Sequence, residues 1–132
     1  MTRPFTLSLS LSENASILTK IKEGYLTWMA ISPHMPKGTR YTMGARIENK
    51  FLDLLESSYT AYFIQKENKS QKISECIFAL DILKFLLTIA WEGKFLSHKQ
   101  YEELAVKLDE IGKMFWGWKK SIETPRKKNP AM

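Results

Sequence analysis

The side chains able to do acid–base, nucleophilic or metal chemistry in this 132-residue chain are two histidines, one cysteine and fourteen carboxylates. A di-metal centre inside a helical bundle needs inward glutamates and Glu-x-x-His pairs, which set a carboxylate and an imidazole one turn apart on one face. His34 and His98 are preceded three places earlier by Ile31 and Phe95. Neither makes such a pair, and both fall in or beside segments that read as loops. Cys76 lies in a strongly apolar stretch, where a thiol is expected to be buried and inert rather than an activated nucleophile. No Gly-rich phosphate loop and no dinucleotide fingerprint is present. The carboxylates scatter over helix surfaces, where solvation and intrahelical pairs such as Glu103–Lys107 account for them. No catalytic constellation emerges, so no enzyme activity, cofactor or metal is expected.

Positive charge is the remaining chemical resource. Lys and Arg number 20 against 14 Asp and Glu, a formal net charge of +6. From Lys119 onward, Lys119, Lys120, Arg126, Lys127 and Lys128 against Glu123 contribute +4, leaving +2 for the rest of the chain. A basic tail attracts phosphate backbones or acidic surfaces, and it also serves solubility alone. If those five cations met single-stranded RNA, affinity would fall with salt at a log–log slope of roughly −3.5 per engaged subunit.

Four amphipathic helices must position these groups. The first spans about 13–31, with Ile17, Ile21, Gly24, Tyr25 and Trp28 on one face, and Pro33 and Pro36 forbid its continuation. The second spans about 41–66, with Ile47, Phe51, Leu54, Leu55, Ser58 and Tyr62 inward. A polar break, Glu67-Asn-Lys-Ser70, is expected before the third, which lasts until Glu92-Gly93. Ser97 and Gln100 form a capping box that opens the fourth, which ends before Pro125. Gly112 faces inward and is expected to admit a neighbouring helix closely. Trp116 and Trp118 read as packing residues, with nucleobase stacking as the alternative. The fold class is therefore all-α: an up-down-up-down four-helix bundle over 13–122. A basic flexible tail follows at 123–132.

That order places the 33–40 and 93–97 loops at one end with Lys37, Arg40, Arg46, Lys94 and Lys99. The other end collects Lys66, Lys69, Lys72, Lys119, Lys120 and the tail. Each patch is modest, and each could equally be a solvated helix end. A ring of subunits would repeat them around an axis and make them multivalent.

The third helix carries the argument for such a ring. From Ile73 to Trp91 its polar members are Ser74, Glu75, Asp81, Lys84 and Thr88, and all but Glu75 gather in one narrow stripe. A surface helix of a small domain normally hides one side only. This one has more to bury than its own domain can cover, which predicts self-association. No uninterrupted apolar run is long enough to span a membrane. Residues 1–12 differ in kind: Phe5, Leu7, Leu9 and Leu11 alternate with hydroxyl residues, the period of a half-buried strand. That alternation is wrong for a secretion signal; a strand paired elsewhere and a flexible extension are the two readings. One cysteine gives no internal disulfide, and a cytoplasmic location is expected.

The segment Met35-Pro-Lys-Gly-Thr-Arg-Tyr-Thr-Met-Gly-Ala-Arg-Ile-Glu48 resembles a loop-to-helix signature. It is joined by Leu80-Asp-Ile-Leu-Lys-Phe-Leu-Leu87, by Leu96-Ser-His-Lys-Gln-Tyr-Glu102 and by Glu110-Ile-Gly-Lys-Met-Phe-Trp-Gly-Trp-Lys119. In that order and spacing they look like the four-helix-bundle family of Avd, the accessory variability determinant of diversity-generating retroelements. Bundle proteins encoded in ribosomal RNA intervening sequences belong to the same broad family. The resemblance covers roughly 13–121. It implies a pentameric ring with a basic surface, partnered with a reverse transcriptase and its template RNA or cDNA. The implied role is non-catalytic support of error-prone cDNA synthesis during mutagenic retrohoming. Arg40 and Arg46 match the family's pattern, and bracing of the loop by bidentate pairing is the structural alternative for both. An intervening-sequence-type bundle with an unidentified partner is the alternative function.

Overall fold

The computed structural model describes residues 15–123, and these are helical almost throughout. Four long helices carry the fold: α1 (Ala15–Ile31), α2 (Met43–Phe63), α3 (Lys66–Glu92) and α4 (His98–Glu123). Between α1 and α2 the chain makes a 3-10 turn, Ser32–His34, and a four-residue helix, Lys37–Arg40. Pro33 sits at the start of the 3-10 turn, where its missing amide donor costs nothing. The alternation over Phe5–Leu11 and the tail cations Arg126, Lys127 and Lys128 lie outside the described residues.

Each helix packs on two others around a square, α1 on α2 and α4, α3 on α2 and α4. Cross-helix pairs fix the directions. Tyr25 donates to Glu48 at 3.3 Å, Ser70 to Glu123 at 2.5 Å, and Thr88 meets Tyr101 at 3.1 Å. Tyr25 and Thr88 lie late in their helices and meet early residues of the next, while Ser70 lies early and meets the last residue of α4, so these neighbours run antiparallel. Inward residues recur at three- and four-residue spacing: Ile47, Phe51, Leu54 and Ser58 on α2, and Leu104, Leu108, Ile111 and Phe115 on α4 are buried. Trp28 stacks on Phe51 at 6.4 Å. Burial, and secondarily Glu48, raise the pKa of the Tyr25 hydroxyl, so it donates as a neutral phenol.

The predicted faces of α1 and α2 stand, while three local expectations change. Helix α2 ends at Phe63 and α3 starts at Lys66, so Glu67-Asn-Lys-Ser70 is the first turn of α3 and not a loop. The break falls on Ile64 and Gln65, both in extended conformation. Exposed polar residues, with Glu67 near the positive end of the helix dipole, suit a helix start as well as a loop. Gly112 gives only a mild close approach, since a Cβ there would stand 3.4 Å from Leu80 Cδ2. The tighter glycine is Gly44, where a Cβ would lie 3.3 Å from the Thr39 carbonyl; it lets the short helix lie against the first turn of α2. Finally, Glu103 and Lys107 are not among the ion pairs of the described residues.

Helix α3 shows where its polar stripe goes. Lys84 pairs with Asp109 at 2.9 Å and Thr88 with Tyr101, both across to α4. The side facing away from the bundle is left to Phe78, Ile82, Phe85 and Ile89. Phe78 is 66% exposed and Phe85 64%. Among the described residues, no helix is long and apolar enough to cross a membrane.

Candidate nucleic-acid interface

The antiparallel order places the predicted cations of the described residues at two ends, and the ends treat them differently. At the end formed by the two loops, Lys37 opens the short helix, Arg46 lies on the first turn of α2, Lys94 follows α3 and Lys99 starts α4. All four are exposed and none makes an ion pair among the described residues. Arg40 is different. It is half-buried, its guanidinium carbon stands 6.0 Å from the Tyr41 ring, and its Nε is buried without a partner in the described residues. Among the described residues it has no carboxylate or carbonyl partner, so the bidentate pairing of the bracing alternative is not seen.

At the opposite end, three of the five predicted cations within the described residues are already engaged in the contacts that follow. The Lys69 ammonium donates to the Ala61 carbonyl at 2.6 Å and to the Tyr62 carbonyl at 2.9 Å. These carbonyls belong to the last turn of α2, whose acceptors have no intrahelical donor. Lys69 thus caps the preceding helix from the following one, and burial lowers its pKa. Lys72 pairs with Glu75 at 3.1 Å. Lys119 pairs with Glu123 at 2.6 Å, and that carboxyl is held below the usual range by Lys119 and then by Ser70. Lys66 and Lys120 are exposed.

The two tryptophans part company. Trp118 is 6% exposed and lies 5.1 Å from the Tyr62 ring, the packing role expected of it. Trp116 is 58% exposed, with the Lys119 ammonium 5.8 Å from its ring centre. The packing expectation fails there, because Trp116 stands two positions from Trp118 and a helix turns neighbours at that spacing apart.

The groups examined for chemistry do not converge. Cys76 is buried against Ser58, whose hydroxyl donates to the Leu54 carbonyl at 2.7 Å and reaches Sγ at 3.8 Å. Burial pushes the thiol up to about 11. Among the described residues, no three His, Cys, Asp or Glu side chains group together. Ser97 and Gln100 do form the capping box: the Gln100 amide donates to Ser97 Oγ at 3.1 Å and the Ser97 amide to Gln100 Oε1 at 2.9 Å. His98 follows directly; its ring is tilted 5.8 Å from that of Trp91, which stacks parallel on Tyr101 at 4.6 Å.

Sequence reasoning missed two groups here. The loop-end cavity lined by His34, Trp91, Lys94 and His98 was masked by treating each histidine only as a metal ligand. The left-handed backbone of Lys94 had no signal, since Gly93 beside it is the residue type that usually takes that conformation.

Fold and surface together define a four-helix-bundle protein whose loop end carries four exposed cations without an ion pair among the described residues. The family model described as bAvd-like matches residues 16–122, and the chain belongs to that family. Comparison with curated proteins gives no match.

Proposed function

We infer that this protein is a non-catalytic accessory subunit of a diversity-generating retroelement, acting as a ring-shaped homo-oligomer that holds reverse transcriptase beside its template RNA and nascent cDNA. Membership of the bAvd-like family supports the retroelement setting. The observation that carries the assembly is the outer face of α3, where Phe78 and Phe85 are each about two-thirds exposed. Two phenylalanines one heptad apart, with Ile82 and Ile89 between and beyond, form a continuous apolar stripe of the kind that marks an interaction surface. A pentamer is the ring the family resemblance implies. In such a ring the loop ends repeat Lys37, Arg46, Lys94 and Lys99 around the axis. Four cations per subunit then act as one multivalent surface for a phosphate backbone. Lys66 and Lys120, with the tail, form the secondary surface.

Sedimentation velocity and multi-angle light scattering at micromolar concentration test the assembly. A single oligomeric species is expected, and Phe78→Asp with Phe85→Asp should reduce it to a helical monomer. A wild-type chain that runs as a stable monomer would sink the ring and the scaffold role with it. Co-purification of the reverse transcriptase with the oligomer, lost in the double variant, tests the partner.

A further inference from the structure

The loop end holds more than surface charge. An open depression of about 580 Å³ lies between the 3-10 turn, the end of α3 and the start of α4. Its lining includes Trp91 and Phe95, both histidines of the chain, and Lys94, and it includes no carboxylate. His34, Lys94 and His98 are all exposed.

Lys94 has a φ of 67°. A side chain with a β-carbon is strained there, and glycine is not. The position is built by the end of α3: the Phe95 amide donates to the Ala90 carbonyl at 2.8 Å and the Lys94 amide to the Trp91 carbonyl at 2.9 Å. This is the turn in which glycine usually takes the left-handed place. Gly93, one residue earlier, has a φ of −81° and leaves that place to lysine. Strain kept at one residue beside a cavity points toward a role for its side chain.

We propose that this cavity takes one nucleotide of a single strand. Tyr101 stacks on one face of Trp91 at 4.6 Å, so the base lies against Phe95 and the part of the indole that Tyr101 leaves uncovered, aromatic surface that every base can stack on. The phosphate is met by the Lys94 ammonium, with the imidazoles of His34 and His98 as further hydrogen-bonding groups. Ahead of the first intrahelical bond of α4, Tyr101 N–H to Ser97 O at 2.9 Å, the amides of His98 and Lys99 add their partial positive charge. The assignment rests on the reading of the loop end as a nucleic-acid surface and narrows it from diffuse charge to a site with a base preference for unstacked ends and loops.

The test is a nitrogen-15 NMR titration of the full chain with AMP, ribose 5-phosphate and inorganic phosphate, and with the single strands A5 and dA5. AMP should shift the Trp91 indole and the Lys94 and His98 amides saturably, and bind more tightly than either base-free probe. The A5 strand should shift the same resonances; a tighter A5 than dA5 assigns RNA, the reverse DNA. Lys94→Gly should weaken AMP roughly tenfold, about the worth of one charge-assisted hydrogen bond. Its thermal midpoint should hold or rise, because glycine relieves the left-handed backbone. His34→Ala and His98→Ala should also weaken AMP at unchanged helix content. Equal affinity for phosphate and AMP would overturn the nucleotide assignment, as would Lys94→Gly and His98→Ala that both bind AMP like the wild type. Long RNA that binds while AMP moves no cavity resonance overturns the cavity alone. AMP binding in the cavity with no affinity for A5, dA5 or long RNA overturns the strand assignment and the nucleic-acid reading together.

Discussion

The loop end and the terminal end of the bundle carry comparable numbers of predicted cations and use them for different work. At the terminal end, Lys69 is consumed in capping α2, Lys72 in a pair with Glu75 and Lys119 in a pair with Glu123. At the loop end, Lys37, Arg46, Lys94 and Lys99 meet no carboxylate within ion-pair distance in the described residues. A lysine beside a carboxylate one turn away contributes little to the long-range field. Within the described residues, formal charge therefore overstates what Lys69, Lys72 and Lys119 offer to an anion.

The largest expected effect breaks the comparison directly. Reversing Lys37, Arg46, Lys94 and Lys99 to Glu should lower RNA affinity at low salt by about 100-fold or more. If each makes one phosphate contact, it should also flatten the log–log salt slope by roughly 3. Fluorescence anisotropy across a salt series reads both. An equal loss from Lys66→Glu with Lys120→Glu would move the interface to the terminal end. Next in size is Lys69→Met, which strips two carbonyls of their donor. It should cost about 1–2 kcal/mol in urea unfolding and leave RNA affinity unchanged; a variant as stable as wild type removes Lys69 from the list of structural cations.

The smallest effect concerns Glu123. Its folded carboxyl titrates below the ordinary value, so the folded state binds that proton less readily than the unfolded chain does. The linked stabilisation is present above the ordinary carboxylate range and fades as pH falls through the depressed value. Thermal midpoints of wild type and Glu123→Gln should differ slightly at pH 6 to 7 and converge toward pH 2 to 3. A difference that grows on acidification would reverse the assignment.

Much of this arrangement is legible in the sequence. Apolar spacing gives the four helices and their inward faces, and short connections give the order that gathers each set of cations. The capping box at Ser97 and the burial of Cys76 follow from local chemistry. What escapes is set by contacts across the bundle. No Gly or Pro marks the turn at Ile64–Gln65, so a polar helix start passes for a loop. The role of Lys69 depends on that tight turn placing it under the end of α2. Trp116 and Trp118 look alike in one dimension and differ by their angle around α4. The site at Lys94 is hidden because a glycine stands beside the position glycine would normally take.

The lone thiol has a practical corollary. Cys76 sits at the seam of α2 and α3, shielded from solvent and largely un-ionised at neutral pH. A thiol reagent reaches it only when that seam parts, so its modification rate is a clock for breathing of the subunit. Cysteines introduced on the outer surface would react first, so the native one can stay in place when crosslinking is used to test for neighbouring copies.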